Sequence, residues 1–196
     1  MSEPMFESIN TMEQASFAAW IESRPAHDDN RYELLNGRVV MMPPAGWPHG
    51  SVGARLMYRM GKIAESSGLG LVFDSSQGFE LPTGDTVEPD ASYVSRARWQ
   101  AAPPRIAGKF LRVVPELVIE IISLSTAGRD RGEKKAIYAA AGVLEYCLVD
   151  TRARTLTIFA LEGAHFDRGI VLVDHEPWQS DALPGLVLCL ADLMVE

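Results

Sequence analysis

The 196-residue sequence has little cysteine, no long apolar run, no internal repeat and no Gly-rich phosphate loop. Each shortage removes a class of function. Cys147 and Cys189 sit in apolar, strand-like segments, too few and wrongly spaced for a disulfide framework or a C-x-x-C zinc site. Apolar stretches such as 186–191 are only a few residues long, against the roughly 20 that cross a bilayer. The start (Met1, Ser2, Glu3, Pro4) has no basic residue followed by an apolar segment. No signal peptide is therefore expected, and the reading is a cytoplasmic protein without a membrane partner. Gly61-Lys62 lacks the rest of a P-loop, and no G-x-S-x-G surrounds Ser123 or Ser125. His27, His49, His165 and His175 lack zinc spacing, and Gly68-x-Gly70 alone is no dinucleotide fingerprint.

Basic charge is also in deficit. The 18 Lys and Arg against 26 Asp and Glu leave a net charge of −8, the wrong sign for a typical nucleic-acid-binding domain. The charge is unevenly spread, however. Residues 1–36 hold seven acids and two bases (−5), and residues 162–196 hold seven acids and one base (−6). Residues 37–161 hold twelve acids and fifteen bases, a basic centre of +3. Net charge alone therefore does not exclude DNA.

What is present reads as one domain over 1–196, with no Gly/Ser linker. Apolar spacing predicts a helix over 11–22, started by Asn10 or Thr11. Asn36-Gly37 between two apolar arms (32–35 and 38–42) predicts a hairpin, ended by Pro43 and Pro44. Val52, Leu56, Met60 and Ile63 mark a second helix over about 50–66, closed by Gly68. Extended segments are expected over 71–81 and 86–94, with Pro89 suiting an edge or bulge. A buried strand is expected at 117–122, a polar loop at 123–130 and a helix over 131–141 stopped by Gly142. Strands at 144–149 and 155–161 follow, then a weakly alternating tail with a short apolar end. This is an α/β or α+β arrangement around a mixed sheet.

Four residues do not suit a bland core. Glu120 interrupts Leu117-Val118-Ile119-Glu120-Ile121-Ile122, a run that otherwise reads as buried on both faces. A buried carboxylate must be neutralised, paired or metal-bound, unless the strand is an edge and Glu120 faces water. Asp90 follows Glu88-Pro89, where turn chemistry is the ordinary explanation. Glu33 in the hairpin arm suits the solvent side of a half-buried strand. Lys134 lies on the helix face of Ile137, Tyr138 and Ala141 and so points toward the sheet, while Lys135 points about 100° away toward solvent. Snorkelling would also account for Lys134. Together the four have a chemical logic. Two or three carboxylates bind Mg²⁺, and a nearby Lys can orient or help deprotonate water and offset charge on a phosphate.

The residues also carry a resemblance. In order they are Glu33-Leu34-Leu35-Asn36-Gly37, Met42-Pro43-Pro44 with His49, Glu88-Pro89-Asp90, Pro115 to Ser123, Asp130-Arg131-Gly132-Glu133-Lys134, Tyr138 to Val143 and Leu183-Pro184-Gly185-Leu186. This set, spanning nearly the whole chain, resembles the Uma-two family of restriction-endonuclease-like proteins within the PD-(D/E)XK nuclease superfamily. The resemblance implies a restriction-endonuclease-like α/β fold: a mixed β-sheet flanked by helices, with an N-terminal helix and β-hairpin. It implies an endonuclease that hydrolyses DNA with Mg²⁺, or Mn²⁺ in its place. Asp90 matches the superfamily Asp and Glu120 the (D/E) position. Two residues on, where Lys is usual, stands Ile122, and Lys134 matches a Lys moved to the next helix. Glu33 is implied as an extra metal or water ligand, and His49 as a phosphate contact or a helix-start His bonded to backbone.

Arg96, Arg98, Arg105, Lys109 and Arg112 fall within 17 residues that hold no acid. Following Asp90, they read as a solvated loop or as a basic segment in which Arg96 and Arg98 meet the DNA backbone. The alternative function is a non-catalytic nucleic-acid or protein-binding module on the same fold. A third reading is a structural ion pair between Lys134 and Glu120. Cutting both strands would need two sites, so a homodimer is a further expectation.

Overall fold

Asn36 and Gly37 both take positive φ, 49° and 77°, as a two-residue turn matching the twist of its strands demands. The structure is a computed structural model that describes residues 7–25, 27–28, 30–42, 44, 46–123 and 125–194. Residues 1–4, expected to carry no signal peptide, and Pro43, expected to help end the hairpin arm, lie outside the described residues.

In chain order the elements begin with α1 (Gln14–Glu22), then β1 (Arg31–Leu35) and β2 (Arg38–Met42), which form the hairpin. Helix α1 starts later than its apolar spacing suggests. Met12 N donates to Gly37 O and Ser8 N to Val39 O, so the chain before it runs along the hairpin. Glu13 is the N-cap, without a side-chain bond, and neither Asn10 nor Thr11 caps the helix. Next come α2 (His49–Ser67), closed by left-handed Gly68, and four strands: β3 (Gly70–Asp74), β4 (Phe79–Glu80), β5 (Thr86–Val87) and β6 (Ala91–Ser95). The two expected extended segments are thus each broken. A turn at 74–77 separates β3 from β4, and Pro89 belongs to neither neighbouring strand.

Ser95 caps α3 (Arg96–Ala101), and β7 (Leu117–Ile121) follows. The expected loop at 123–130 is partly helical: α4 (Ala127–Arg129) runs through a π-helical turn (Asp130–Lys134) into α5 (Lys135–Ala141). Strands β8 (Glu145–Asp150) and β9 (Thr155–Glu162) agree with the sequence reading. The tail holds more order than its weak alternation suggests: β10 (His165–Phe166), β11 (Ile170–Val173), β12 (Trp178–Gln179) and β13 (Val187–Leu188).

The large mixed sheet runs β10-β9-β8-β7-β6-β3, with β11 also on β9, and only β7 and β8 pair in parallel. A smaller sheet runs β2-β1-β5-β4. One face of β7 (Leu117, Ile119, Ile121) packs with α2 and the C-terminal segment. Val118 points to the other face, into a cluster with Ile137 and Tyr138 of α5 and Leu35 of the hairpin. Glu120, two residues on, shares the Val118 side. The small sheet is two-faced as well. Tyr32, Leu34 and Val39 lie under Phe17 of α1, which leaves Arg31, Glu33 and Leu35 turned inward. A mixed sheet with helices on both faces and an N-terminal helix and hairpin is the expected α/β class.

Lys135 departs from expectation. Its ammonium lies 3.5 Å from the centroid of Phe159 in β9, and the side chain is half-buried.

Candidate active site

Three chain segments meet where the two sheets part. Glu88-Pro89-Asp90 carries the chain from β5 in the small sheet to β6 in the large one. Asp90 Oδ2 accepts a 2.8 Å hydrogen bond from Ile121 N at the end of β7, which ties the crossing to the central strand. Asp90 is therefore not mere turn chemistry. His49, the first residue of α2, places Nε2 3.0 Å from the same oxygen. Since a carboxylate only accepts, the imidazole carries the hydrogen there. Among the described residues the His49 imidazole is bonded to Asp90, not to backbone. Burial pushes the Asp90 carboxyl up, yet His49, Arg31 and the Ile121 N–H outweigh it and leave it below the ordinary value.

Lys134 reaches in from the π-helical turn. Its Nζ lies 2.6 Å from Glu120 Oε1 and 2.9 Å from Glu33 Oε1, and its side chain is only 2% exposed. Snorkelling is thus excluded, as is an edge-strand Glu120 in water. A π turn inserts one residue in the hydrogen-bonding ring, so the side chains around it are re-aimed from ordinary helical positions. Tyr138, one turn later on the same face, donates to Glu120 Oε1 at 2.7 Å. Glu33 Oε1 also accepts from Glu88 N at 2.8 Å, while its Oε2 is buried without a hydrogen-bond partner.

The electrostatics are lopsided. Glu33, Glu88, Asp90, Glu120 and Asp130 surround two permanent cations, Arg31 and Lys134. Burial pushes Glu120 up to about 8, Lys134 opposes this, and Asp90, Asp130 and Glu33 reinforce it. Burial likewise pushes Glu88 up to about 7. For Lys134 burial favours the neutral amine, but Glu120, Glu33 and Asp130 overrule it and hold the ammonium charged. The two shifts are compatible because Glu33 keeps Lys134 paired even when Glu120 carries a proton. In this charged form Lys134 can orient and stabilise groups beside it.

Among the described residues, no three His, Cys, Asp or Glu side chains are already drawn into a metal cage. The donor chemistry nevertheless fits a hard divalent cation. Mg²⁺ needs only one or two carboxylates and keeps several waters, which Asp90 and Glu120 can satisfy. The excess of buried carboxylates and the orphaned Glu33 Oε2 both call for positive charge. Glu33 itself is engaged with Lys134 and Glu88, so it serves the lysine first.

Arg96 and Arg98 are not brought to this place. Strand β6 separates them from Asp90 by five residues, about 17 Å at 3.3 Å each. Arg98 bonds Val114 O, Pro115 O and Gly142 O and pairs with Glu116 at 3.1 Å. Arg96 Nε donates to Gly68 O. Conversely, the sequence reading missed Arg31, Glu88, Asp130 and Tyr138. Two signals were available: Arg31 stands two residues before Glu33 on the same strand face, and Tyr138 stands four after Lys134 on the same helix face.

A search among curated proteins finds no match. A solved structure, described as a "putative nuclease belonging to DUF820" from Anabaena variabilis ATCC 29413, superposes with a TM-score of 0.72. It is 15% identical, over 93% of this chain and 97% of that one, a likeness that shows the fold. The sequence profile of the Uma2 family, described as "Putative restriction endonuclease", matches residues 15–191. With Asp90, Glu120 and Lys134 all inside that match, the chain belongs to the Uma2 family.

Proposed function

We propose that this protein is a metal-dependent endonuclease of the PD-(D/E)XK kind that hydrolyses phosphodiester bonds in DNA. The observation that carries the reading is the buried Lys134 bridging Glu33 and Glu120 beside Asp90, where Ile121 N–H ties the two sheets together. Asp90 and Glu120 would hold Mg²⁺ or Mn²⁺. The bound cation would neutralise charge on the phosphate and lower the pKa of a bound water. Lys134, charged throughout, would donate to the attacking water or to a phosphate oxygen as charge builds there. Glu33 and Tyr138 fix the partners of that ammonium, and His49 fixes Asp90, so the polar groups need little reorganisation. A dry, preset arrangement of this kind is what electrostatic catalysis needs.

A supercoiled-plasmid nicking assay tests the reading. Nicking should require Mn²⁺ or Mg²⁺, disappear with EDTA and be abolished in Asp90→Asn and Glu120→Gln. Calorimetry should show those variants losing Mn²⁺ affinity. Nicking that survives EDTA, or variants that bind Mn²⁺ like the wild type, would sink the proposed site. DNA binding without cleavage in any metal would favour the non-catalytic module.

A further inference from the structure

Arg31 belongs to the carboxylate cluster, yet the chemistry of Asp90, Glu120 and Lys134 gives it no role. Its Nη1 lies 3.3 Å from Asp90 Oδ1, Nη2 donates to Glu88 O at 3.0 Å, and Nε stands 3.6 Å from Glu88 Oε2. A guanidinium has five N–H donors. Among the described residues it makes two hydrogen bonds, the one to Asp90 long at 3.3 Å, and Nε is buried with no hydrogen-bond partner. The protein supplies its own comparison. Arg98 has three carbonyl acceptors and a carboxylate around its fork, the pattern of an arginine that cross-links a fold. Arg31 has a fork of the same shape with half-made contacts.

Accessibility separates the two cations of the cluster. Lys134 is 2% exposed, whereas the Arg31 side chain is 28% exposed and reaches solvent. It touches Asp90 through Oδ1, the oxygen left free by His49 and Ile121 N–H. Without DNA, then, a cation already sits on the second oxygen of the proposed metal ligand.

We propose that Arg31 is a phosphate-binding residue of this site, parked on Asp90 and Glu88 until a DNA phosphate displaces it. The inference rests on the nuclease reading and extends it. A planar guanidinium with unused donors suits two phosphate oxygens at once, which a carboxylate offering one oxygen at 3.3 Å does not match. Moving Arg31 to phosphate uncovers Asp90 Oδ1, so DNA and metal would each favour the binding of the other.

The test uses the full chain with Arg31→Ala and Arg31→Lys. Duplex binding is followed by fluorescence anisotropy in Ca²⁺ over a salt series, and Mn²⁺ binding without DNA by calorimetry. Arg31→Ala should weaken duplex binding about tenfold or more and flatten the salt slope by about one. Arg31→Lys should keep the slope but lose affinity, because the charge remains and the fork does not. Mn²⁺ alone should bind Arg31→Ala at least as tightly as the wild type, since a competing cation has gone. A merely structural arginine predicts the reverse, with Mn²⁺ affinity falling and the salt slope unchanged; that result overturns the inference. Should Arg31→Ala not fold, the Arg31→Lys pair of measurements decides, with unchanged duplex affinity overturning it. A wild type that binds no duplex in Ca²⁺ would instead overturn the nuclease reading, and this inference with it.

Discussion

Lys134 and Glu120 meet at 2.6 Å with both side chains withdrawn from water. Such a pair is held more by the cost of breaking it than by its own net attraction. Lys134→Met should therefore strip Glu33 and Glu120 of their common counter-charge and cost about 3–5 kcal/mol. For a chain of 196 residues that is a Tm drop on the order of 10 °C, read by thermal circular dichroism. Adding Glu120→Gln should recover part of the loss, since the second change removes a buried carboxyl left without its partner. A double variant no more stable than Lys134→Met would mean that the two side chains are not energetically coupled.

The pH dependence of the metal-free protein follows from the raised carboxyls. Glu120 is pushed up to about 8 and Glu88 to about 7, both mainly by burial, from an ordinary value of 4.5. The folded protein therefore keeps protons that the unfolded chain releases near pH 4.5, and stability falls as pH rises from there to about 8. Asp90 works in the opposite sense and over a lower range. Its carboxyl is held below the ordinary 3.8, so its contribution is present above that value and is lost on further acidification. Lys134, raised, keeps its contribution across the whole neutral range. Melting temperature without metal should consequently decline between pH 5 and pH 8, and Glu120→Gln should decline less. Mg²⁺ that binds these carboxylates should flatten the wild-type decline, because the cation replaces the protons. A metal-free Tm that rises with pH over this range would contradict the arrangement.

Strands and helices were legible where a single periodicity governs a segment. The hairpin, α2, β7, β8 and β9 follow from Asn-Gly chemistry, one-face apolar spacing and a short all-apolar run. The tail was illegible because β10 to β13 are short and pair with each other or with β9, so register and not composition makes them strands. Within the site, Glu120 and Lys134 stood out because each is polar where its neighbours require burial, while Asp90 and Glu33 drew notice through the chemistry of the four together and the family resemblance. Arg31 and Tyr138 did not, since an arginine opening a strand and a tyrosine on a packed helix face are unremarkable until their neighbours are known. The position of the basic segment was not legible for a geometric reason: nearness in sequence to Asp90 does not reveal that β6 carries the chain away from it.

Arg98 is accordingly expected to matter for folding and not for DNA. Its guanidinium ties α3 to Val114, Pro115 and Gly142, with Glu116 as the ion partner. Arg98→Ala leaves three part-buried carbonyls and a carboxylate at 7% exposure without that donor. A loss of about 2–3 kcal/mol follows, seen as a Tm reduction of several degrees. The salt slope of duplex binding should stay at the wild-type value. A flatter slope in Arg98→Ala would restore the basic segment as a backbone contact.

His49 acts through Asp90, and removing it should be felt first in metal affinity. Its Nε2 and the Ile121 N–H both bind Oδ2, which fixes the carboxylate plane and turns Oδ1 toward the cluster. His49→Ala leaves Asp90 with the backbone bond and the long contact to Arg31. Partners that orient a metal ligand are each worth roughly 10–100-fold in metal affinity or activity. Mn²⁺ affinity by calorimetry should drop in that range, with only a small change in Tm because His49 is partly exposed. The Asp90 carboxyl should also move up toward its ordinary value, since the largest influence opposing burial has gone. The acid limb of the nicking pH profile should therefore shift to higher pH, while His49→Gln, whose amide can still donate toward Oδ2, should recover part of the affinity. A variant with unchanged Mn²⁺ affinity and an unmoved acid limb would show that Asp90 is held without the imidazole.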